Sequence, residues 1–309
     1  MLNRFQLRAC NPYLLKTLKG DRLNEYVRHQ TMAIKTPEIK EGVIYYNAGF
    51  KMLVRLAVSL STLRKVYSGP CTILADYDSY NHCKIIADKF GASVGQANFD
   101  KHRKNTALLN KCRLAEISPY NPSIFIDSDT IIFKDFTRMF EIAKHYEFVA
   151  TNFCDWTAKS RRIQKRIKAW LKHMPKTAKK ALNYQYSINT GVFAFMKQSL
   201  LMENWYDHAV KGEDLYIPDE TCCQTIIHAY PHYVIDSTYN QSCRYEGVTS
   251  ATKILHYHGR KHCRLDNDGN FMYNGNFWFD AFSKIKEFVE PWIRFDRQLR
   301  KALITLEKK

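Results

Sequence analysis

The chain has 309 residues, and its 47 Lys and Arg outweigh its 30 Asp and Glu to give a formal net charge of +17. With 45% apolar and 25% charged residues it has the composition of a globular protein, and no run reaches the roughly 18 uncharged apolar residues that a membrane-spanning helix needs. The basic excess is more than solubility requires and points to an anionic partner: nucleic acid, an acidic membrane surface or a phosphorylated substrate.

Residues 1–40 are polar and irregular, with helical tendency around Pro12–His29, and read as an N-terminal extension. Arg4, Arg8, Asn11 and Pro12 interrupt what would be the apolar core of a secretory signal, so a cytoplasmic location is expected, with peripheral attachment to a membrane left open. The nine cysteines are an odd number and form no C-x-x-C, which fits a reducing compartment and structural thiols.

From Gly42, GVIYYNAG predicts a buried strand closed by Gly49. Leu53, Leu56, Ala57, Leu60 and Leu63 recur at helical spacing until Gly69-Pro70, and CTILAD is a second buried strand. Tyr80–Phe90 reads as a helix and Gly91–Val94 as a short strand. Asn105–Ile117 reads as one helix, capped by Asn105 or Thr106 and stopped before Pro119. PSIFIDSDT and EFVATNF follow as strands, then SINTGVFAFM and HYVID. Strands alternating with helices predict βαβ units and an α/β fold, its mostly parallel sheet flanked by helices on both faces.

Two basic segments interrupt this pattern. Ala158–Leu182 holds ten Lys or Arg and no acid. Its Ile163, Ile167, Trp170, Leu171 and Met174 form one helical stripe, with Pro175 ending or kinking the helix. Such a helix either lies on an anionic membrane or packs on the protein and offers cations to phosphates. The C-terminal stretch from Phe277 is aromatic-rich and continues as a basic helix opened by Pro291, with Trp292, Phe295, Leu299, Leu303 and Leu306 on one side.

Four short motifs carry the chemistry. Asp127-Ser128-Asp129 ends an apolar strand, where open α/β sheets bind ligands. Two carboxylates there can hold a manganese or magnesium ion that bridges a diphosphate. HYHGRKH, residues 256–262, offers His256 as a further metal ligand, Gly259 for close backbone approach, and Arg260 or Lys261 for phosphate charge. Asn189-Thr190-Gly191 opens another apolar strand and suits hydroxyl recognition. Asp219-Glu220 is a second acidic pair, standing just before a helix.

As an ordered set, these motifs resemble the glycogenin-like family of glycosyltransferases, which includes bacterial lipopolysaccharide galactosyl- and glucosyltransferases. The resemblance runs from about Gly42 to His262. It implies a GT-A (Rossmann-like) fold, a UDP-sugar donor, transfer with retention, and Mn2+ or Mg2+ as cofactor. By the same resemblance Asp127, Asp129 and His256 hold the metal. Tyr45, Tyr46, Asn47 and Ala48 hold the nucleoside, and Lys111 and Ser128 flank the donor. Asn189, Thr190 and Gly191 meet the sugar, and Gly259 with Lys261 or His262 meets the diphosphate. Asp219 and Glu220 fall near the anomeric carbon, with Glu220 where the family usually has an amide. The expected organisation is an extension (1–40), a GT-A domain (41–276) with a basic helical insert (about 158–182), and C-terminal amphipathic helices (277–309).

The acceptor stays open between a glycan or glycolipid and a hydroxymethylated base in DNA. A reading of another class, a magnesium-dependent nucleic-acid-binding protein or nuclease, would also use Asp127 and Asp129. It lacks the further acids a two-metal centre needs near that strand.

Overall fold

The computed structural model describes residues 40–97, 104–154, 157, 159–259 and 261–308. The expected N-terminal extension, the first residue of the basic tract and Arg260 lie outside these residues.

In chain order the elements begin with β1 (Gly42–Asn47), α1 (Leu53–Leu63), β2 (Cys71–Ala75), α2 (Tyr80–Lys89) and β3 (Ser93–Gln96). Next come α3 (Thr106–Lys111), α4 (Leu114–Ile117), β4 (Ser123–Ile126), β5 (Thr130–Ile132), α5 (Arg138–Tyr146) and β6 (Phe148–Asn152). Then follow α6 (Arg161–Ala169), α7 (Pro175–Ala181), β7 (Ile188–Phe195), α8 (Leu200–Val210), α9 (Pro218–Ile226), β8 (Tyr233–Ile235), β9 (Gln241–Ser242) and β10 (Ile254–His256). Three helices close the fold: α10 (Gly275–Ser283), α11 (Lys286–Ile293) and α12 (Arg297–Glu307).

A seven-stranded sheet runs in the order β3-β2-β1-β4-β7-β6-β8. All its pairings are parallel except those of β7, which runs antiparallel to β4 and β6. Its central strands are largely apolar and buried because helices cover both faces. Strand alternation sends Val43 and Tyr45 of β1 into one core layer and Ile44 into the other. On the first face α1 buries ten of its eleven residues. Each of Leu53, Leu56, Leu60 and Leu63 there contributes about 1.5–3 kcal/mol by burial.

A second, three-stranded sheet, β5-β10-β9, sits beside the end of β4. β5 pairs antiparallel with β10 so that Thr130 faces His256. Asp127, Ser128 and Asp129 therefore form the link from the large sheet to the small one. That link positions the site.

Several local expectations are corrected. The single helix over Asn105–Ile117 is two short ones, broken at Cys112–Arg113, and the left-handed Asn105 (φ 55°) makes no side-chain cap. Its amide donates instead to the Glu213 carbonyl at 2.8 Å. The basic tract is also two helices: α6 ends in a 3₁₀ turn over Trp170–Lys172, and Pro175 opens α7 at a first-turn position where its missing N–H costs nothing. The tract's apolar stripe faces the protein, with Ile163, Ile167, Trp170 and Met174 buried beside α8 and α9 residues. The Trp170 indole donates to Thr221 Oγ1 at 3.0 Å. No apolar face of α6 is left for a bilayer. Pro291 lies inside α11 rather than opening a helix. Trp292 and Leu299 pack in the same core as α1. Among the described residues no helix is long and apolar enough to cross a membrane. The eight described cysteines are buried, and no two of them are joined in a disulfide.

Candidate active site

A cleft of about 470 Å³ opens at the carboxyl end of β4. Its floor is the Asp127-Ser128-Asp129 link, and one wall is the start of β7. The Asp127 N–H donates to the Gly191 carbonyl at 2.7 Å, which ties the acidic link to Asn189-Thr190-Gly191. Position 191 needs glycine for space, because a Cβ there would overlap the His256 ring and stand 3.1 Å from Asp127 Oδ2.

Asp127, Asp129 and His256 bring one ligand atom each within 4.8 Å of one another. His256 Nε2 lies 3.1 Å from Asp129 Oδ1 and 3.7 Å from Asp127 Oδ2. Its other nitrogen, Nδ1, faces Asn240 Oδ1 at 2.9 Å. The Asn240 amide nitrogen is committed to Thr151 Oγ1 and to the Asn189 carbonyl, so its oxygen must accept from Nδ1–H. A neutral ring would turn its Nε2 lone pair toward two carboxylate oxygens; burial favours that form, but Asp129 and Asp127 outweigh it and hold the His256 pKa above its ordinary value. In the neutral form three acceptors converge with no hydrogen between them, an arrangement relieved by a proton or by a cation. The donor set, two carboxylates and an imidazole, fits a divalent metal ion.

The charges around this cluster are fixed from behind. Burial alone would raise the Asp129 carboxyl, but His256, Arg55 and the Gly259 N–H hold it well below the usual carboxylate range. That N–H donates to Asp129 Oδ2 at 2.5 Å. The Gly259 carbonyl in turn accepts from Arg55, whose guanidinium forms a buried pair with Asp296 at 2.8 Å. Asp296 also caps α12, accepting from the N–H groups of Gln298 and Leu299. Desolvation at the cleft floor pushes the Asp127 carboxyl up to about 6, against the pull of Lys111 and His256.

Across the cleft, Lys111 Nζ lies 2.6 Å from Asp219 Oδ2 and 3.9 Å from Asp127 Oδ2. Burial alone would lower the Lys111 pKa, but these two carboxylates hold it above its ordinary value. Thr190 Oγ1 donates to Asp219 Oδ2 at 3.2 Å. Glu220 pairs with Arg166 at 2.6 Å. Burial raises the Glu220 carboxyl above its ordinary value, and Arg166 opposes that rise. Asn189 Nδ2 and Asp219 Oδ1 are buried without a hydrogen-bond partner. One is a donor and the other an acceptor, the complement a sugar hydroxyl offers.

No protein-family model matches the chain, and no curated protein does. Solved structures match it. LgtC, crystallised with donor and acceptor sugar analogues, superposes with a TM-score of 0.56 over 79% of this chain and 95% of its own, at 10% identity. The bifunctional glycosyltransferase WbbM, in its apo form, superposes at 0.54 over 80% of this chain and 11% identity. The present chain spans only 49% of the WbbM chain, about half its length. GlyE of Streptococcus pneumoniae TIGR4 superposes at 0.55 over 82% of this chain and 63% of its own, at 12% identity. The fold is GT-A.

On this GT-A frame most of the residues expected at the site from sequence line one cleft. They are Tyr46, Ala48, Lys111, Asp127, Ser128, Asp129, Asn189, Thr190, Gly191, Asp219, Glu220, His256, Gly259 and Lys261. Three do not. Tyr45 points to the opposite face of β1, where its hydroxyl meets Ser59 at 3.0 Å, as strand alternation beside Tyr46 requires. The Asn47 amide turns back onto the Gly49 carbonyl at 2.9 Å. His262 is fully buried, its ring 4.4 Å from that of Trp278, and burial beside Arg55 pushes it down to about 3. It stays neutral in the core, so Lys261 is the cation of that pair at the cleft. Sequence reasoning missed Arg162, Arg166, Tyr216, Arg244, Tyr245 and His258, which also line it. The only signal for the first two was the acid-free basic tract.

Proposed function

We propose that this protein is a metal-dependent glycosyltransferase that moves a sugar from a UDP-sugar to an acceptor hydroxyl, with retention of anomeric configuration. The observation that carries the reading is the convergence of Asp127, Asp129 and the Nε2 lone pair of His256, at the floor of a cleft in a GT-A fold. An imidazole beside two hard oxygens favours manganese over magnesium. When bound, the ion would offset charge on the departing diphosphate.

The protein's own groups supply the rest. Tyr46 and Ala48 at the end of β1 border the nucleoside, and the Gly259 turn with Lys261 borders the diphosphate. Asn189 donates to, and Asp219 accepts from, sugar hydroxyls through the two atoms that lack partners. Lys111 orients Asp219 beside the anomeric carbon, where positive charge builds as the bond to UDP breaks. Glu220, in the place where the resembling family has an amide, stays fixed by Arg166. An LgtC bearing an active-site glutamine-to-glutamate mutation also superposes on this chain, with a TM-score of 0.57 at 10% identity.

The test is UDP release by the purified protein with manganese and a panel of UDP-sugars, without acceptor. Release from one donor, abolished by chelator and by Asp127→Asn with Asp129→Asn, is the expected result. No release, together with no metal-dependent UDP binding in a thermal-shift assay, would overturn the reading.

A further inference from the structure

Within the basic tract Arg166 is committed to Glu220. Every other described Lys and Arg of the tract is exposed. Arg161, Lys165 and Lys168 lie on the outward side of α6, Lys172 on the 3₁₀ turn after it, and Lys176 and Lys179 on α7. None of these six side chains forms an ion pair or a hydrogen bond among the described residues. Both helices pack on α9 through their apolar sides, so the cations share the outer face. Gathered cations without counter-charges repel one another, and a bound polyanion relieves that repulsion.

This face reaches the active-site cleft, which Arg162 and Arg166 of α6 help to line. A second cationic surface meets the same cleft at His258, Gly259 and Lys261. It is a groove of about 620 Å³ between the 258–265 segment and α12. Lys261, Arg264 and Lys301 line it, and none of its lining residues is acidic. At the cleft stands Tyr216, 69% exposed, its ring steadied by the Arg166 guanidinium 5.3 Å from the centroid. An exposed ring of this kind stacks on the flat face of a base.

We infer that the α6–α7 face and the α12 groove hold the phosphate backbone of an unpaired nucleic-acid strand, and that the acceptor hydroxyl is borne by one of its bases. This rests on the transferase reading above. In the transfer the bond from the sugar C1 to the UDP oxygen breaks, the base hydroxyl oxygen bonds to C1, and its proton leaves with the diphosphate.

An acidic membrane is the rival partner. Helices that lie in a bilayer bury an apolar face there. Here that face is spent on the protein, and no large apolar side chain of the described tract residues is exposed. A flat bilayer also leaves the α12 groove unfilled, whereas a strand can follow it into the cleft.

The test measures binding of a 20-nucleotide single strand to the full chain by fluorescence anisotropy, without donor or metal. Six neutralised phosphates give a slope of log K against log salt of about −4. Lys165→Gln with Lys168→Gln and Lys172→Gln should flatten it by about 2–3, and Arg264→Gln with Lys301→Gln by about 1–2. Both variants should keep UDP–Mn2+ affinity within about twofold. Tyr216→Ala should weaken the strand about fivefold or more at unchanged slope. A strand carrying one 5-iodouracil should crosslink, on irradiation, to Tyr216 or Tyr245.

A slope shallower than about −2, or binding untouched by both charge variants, would overturn the inference. So would a duplex bound more tightly than the strand, or crosslinks confined to α7. Heparin bound as tightly per charge, with no effect of Tyr216→Ala on the strand, would reduce the face to a general polyanion patch. Lysine-dependent binding to phosphatidylserine vesicles without strand binding would assign it to a membrane. Because no donor is present, a failure of UDP release leaves the strand result standing, and a failure of strand binding leaves the donor reading standing.

Discussion

Lys111 and Asp219 form an ion pair sealed from water, Nζ to Oδ2 2.6 Å, joining the end of α3 to the first turn of α9. Asp219 is fully buried and Lys111 nearly so. Removing one partner leaves an uncompensated buried charge, which costs roughly 3–5 kcal/mol. Lys111→Met should therefore destabilise the protein by about 3 kcal/mol in urea unfolding. Adding Asp219→Asn should recover part of the loss. Additive losses in the double variant would show that the pair contributes no coupling.

The Asp127 carboxyl gives the pH dependence. Its folded pKa of about 6 lies above the ordinary carboxylate value of 3.8, so the native state binds the extra proton between those values. Above pH 6 the bare carboxylate costs stability, and the cost is relieved as pH falls through 6. Metal binding runs the other way, since a protonated Asp127 is a poor ligand. Manganese affinity should fall steeply below pH 6. Asp127→Asn should stabilise the metal-free protein at pH 8 by on the order of 1 kcal/mol, seen as a higher melting temperature, while abolishing manganese binding. A lower melting temperature at pH 8 would contradict this account.

Gly191→Ala tests the packing of the centre. The added methyl overlaps the His256 ring and crowds Asp127, so two metal ligands must move. Position 191 lies in β7, where alanine fits the backbone. The fold should persist by circular dichroism, with manganese affinity and donor cleavage reduced about 100-fold or more, as expected when reacting groups shift by an ångström. Wild-type manganese affinity in this variant would mean that His256 is not a ligand.

Arg55 and Asp296 act at one remove. Arg55→Lys keeps the charge but loses the fork that reaches both Asp296 and the Gly259 carbonyl. It should retain most stability yet bind manganese and UDP more weakly, raising KM more than it lowers kcat. Arg55→Ala should also unfold several degrees earlier, because it strands the buried Asp296 carboxylate. If the lysine variant matched the wild type in KM, the support of Asp129 through Gly259 would be energetically silent.

What the sequence made legible was what local pattern encodes. GVIYYN, CTILA and SIFI are apolar runs that only a covered sheet buries, and Asp127-Ser128-Asp129 ends one of them. The ordered motifs up to His256 led to one cleft for the same reason, since strand ends place them there. Contacts between distant segments were not legible. Glu220 meets Arg166 across 54 positions, and Arg55 meets Asp296 across 241. No spacing rule joins such pairs. His262 was misplaced because a single 3₁₀ turn, Lys261–Cys263, sends adjacent basic residues in different directions. The helix before Pro175 was read as reaching Met174 because Trp170 and Met174 continue its stripe, although the chain tightens into a 3₁₀ turn from Trp170, where the indole meets Thr221.

The chain from Asp129 through Gly259 and Arg55 to Asp296 has a consequence for synthesis. The metal-binding turn is specified early, but its backing arrives only when residue 296 does. A nascent chain stalled after β10 would carry every expected metal ligand and still lack the brace that holds Asp129 in place. Asp129 is thus braced only once α12 has packed, so in a chain under synthesis the cleft should bind its ligands late, after α12 has cleared the exit tunnel.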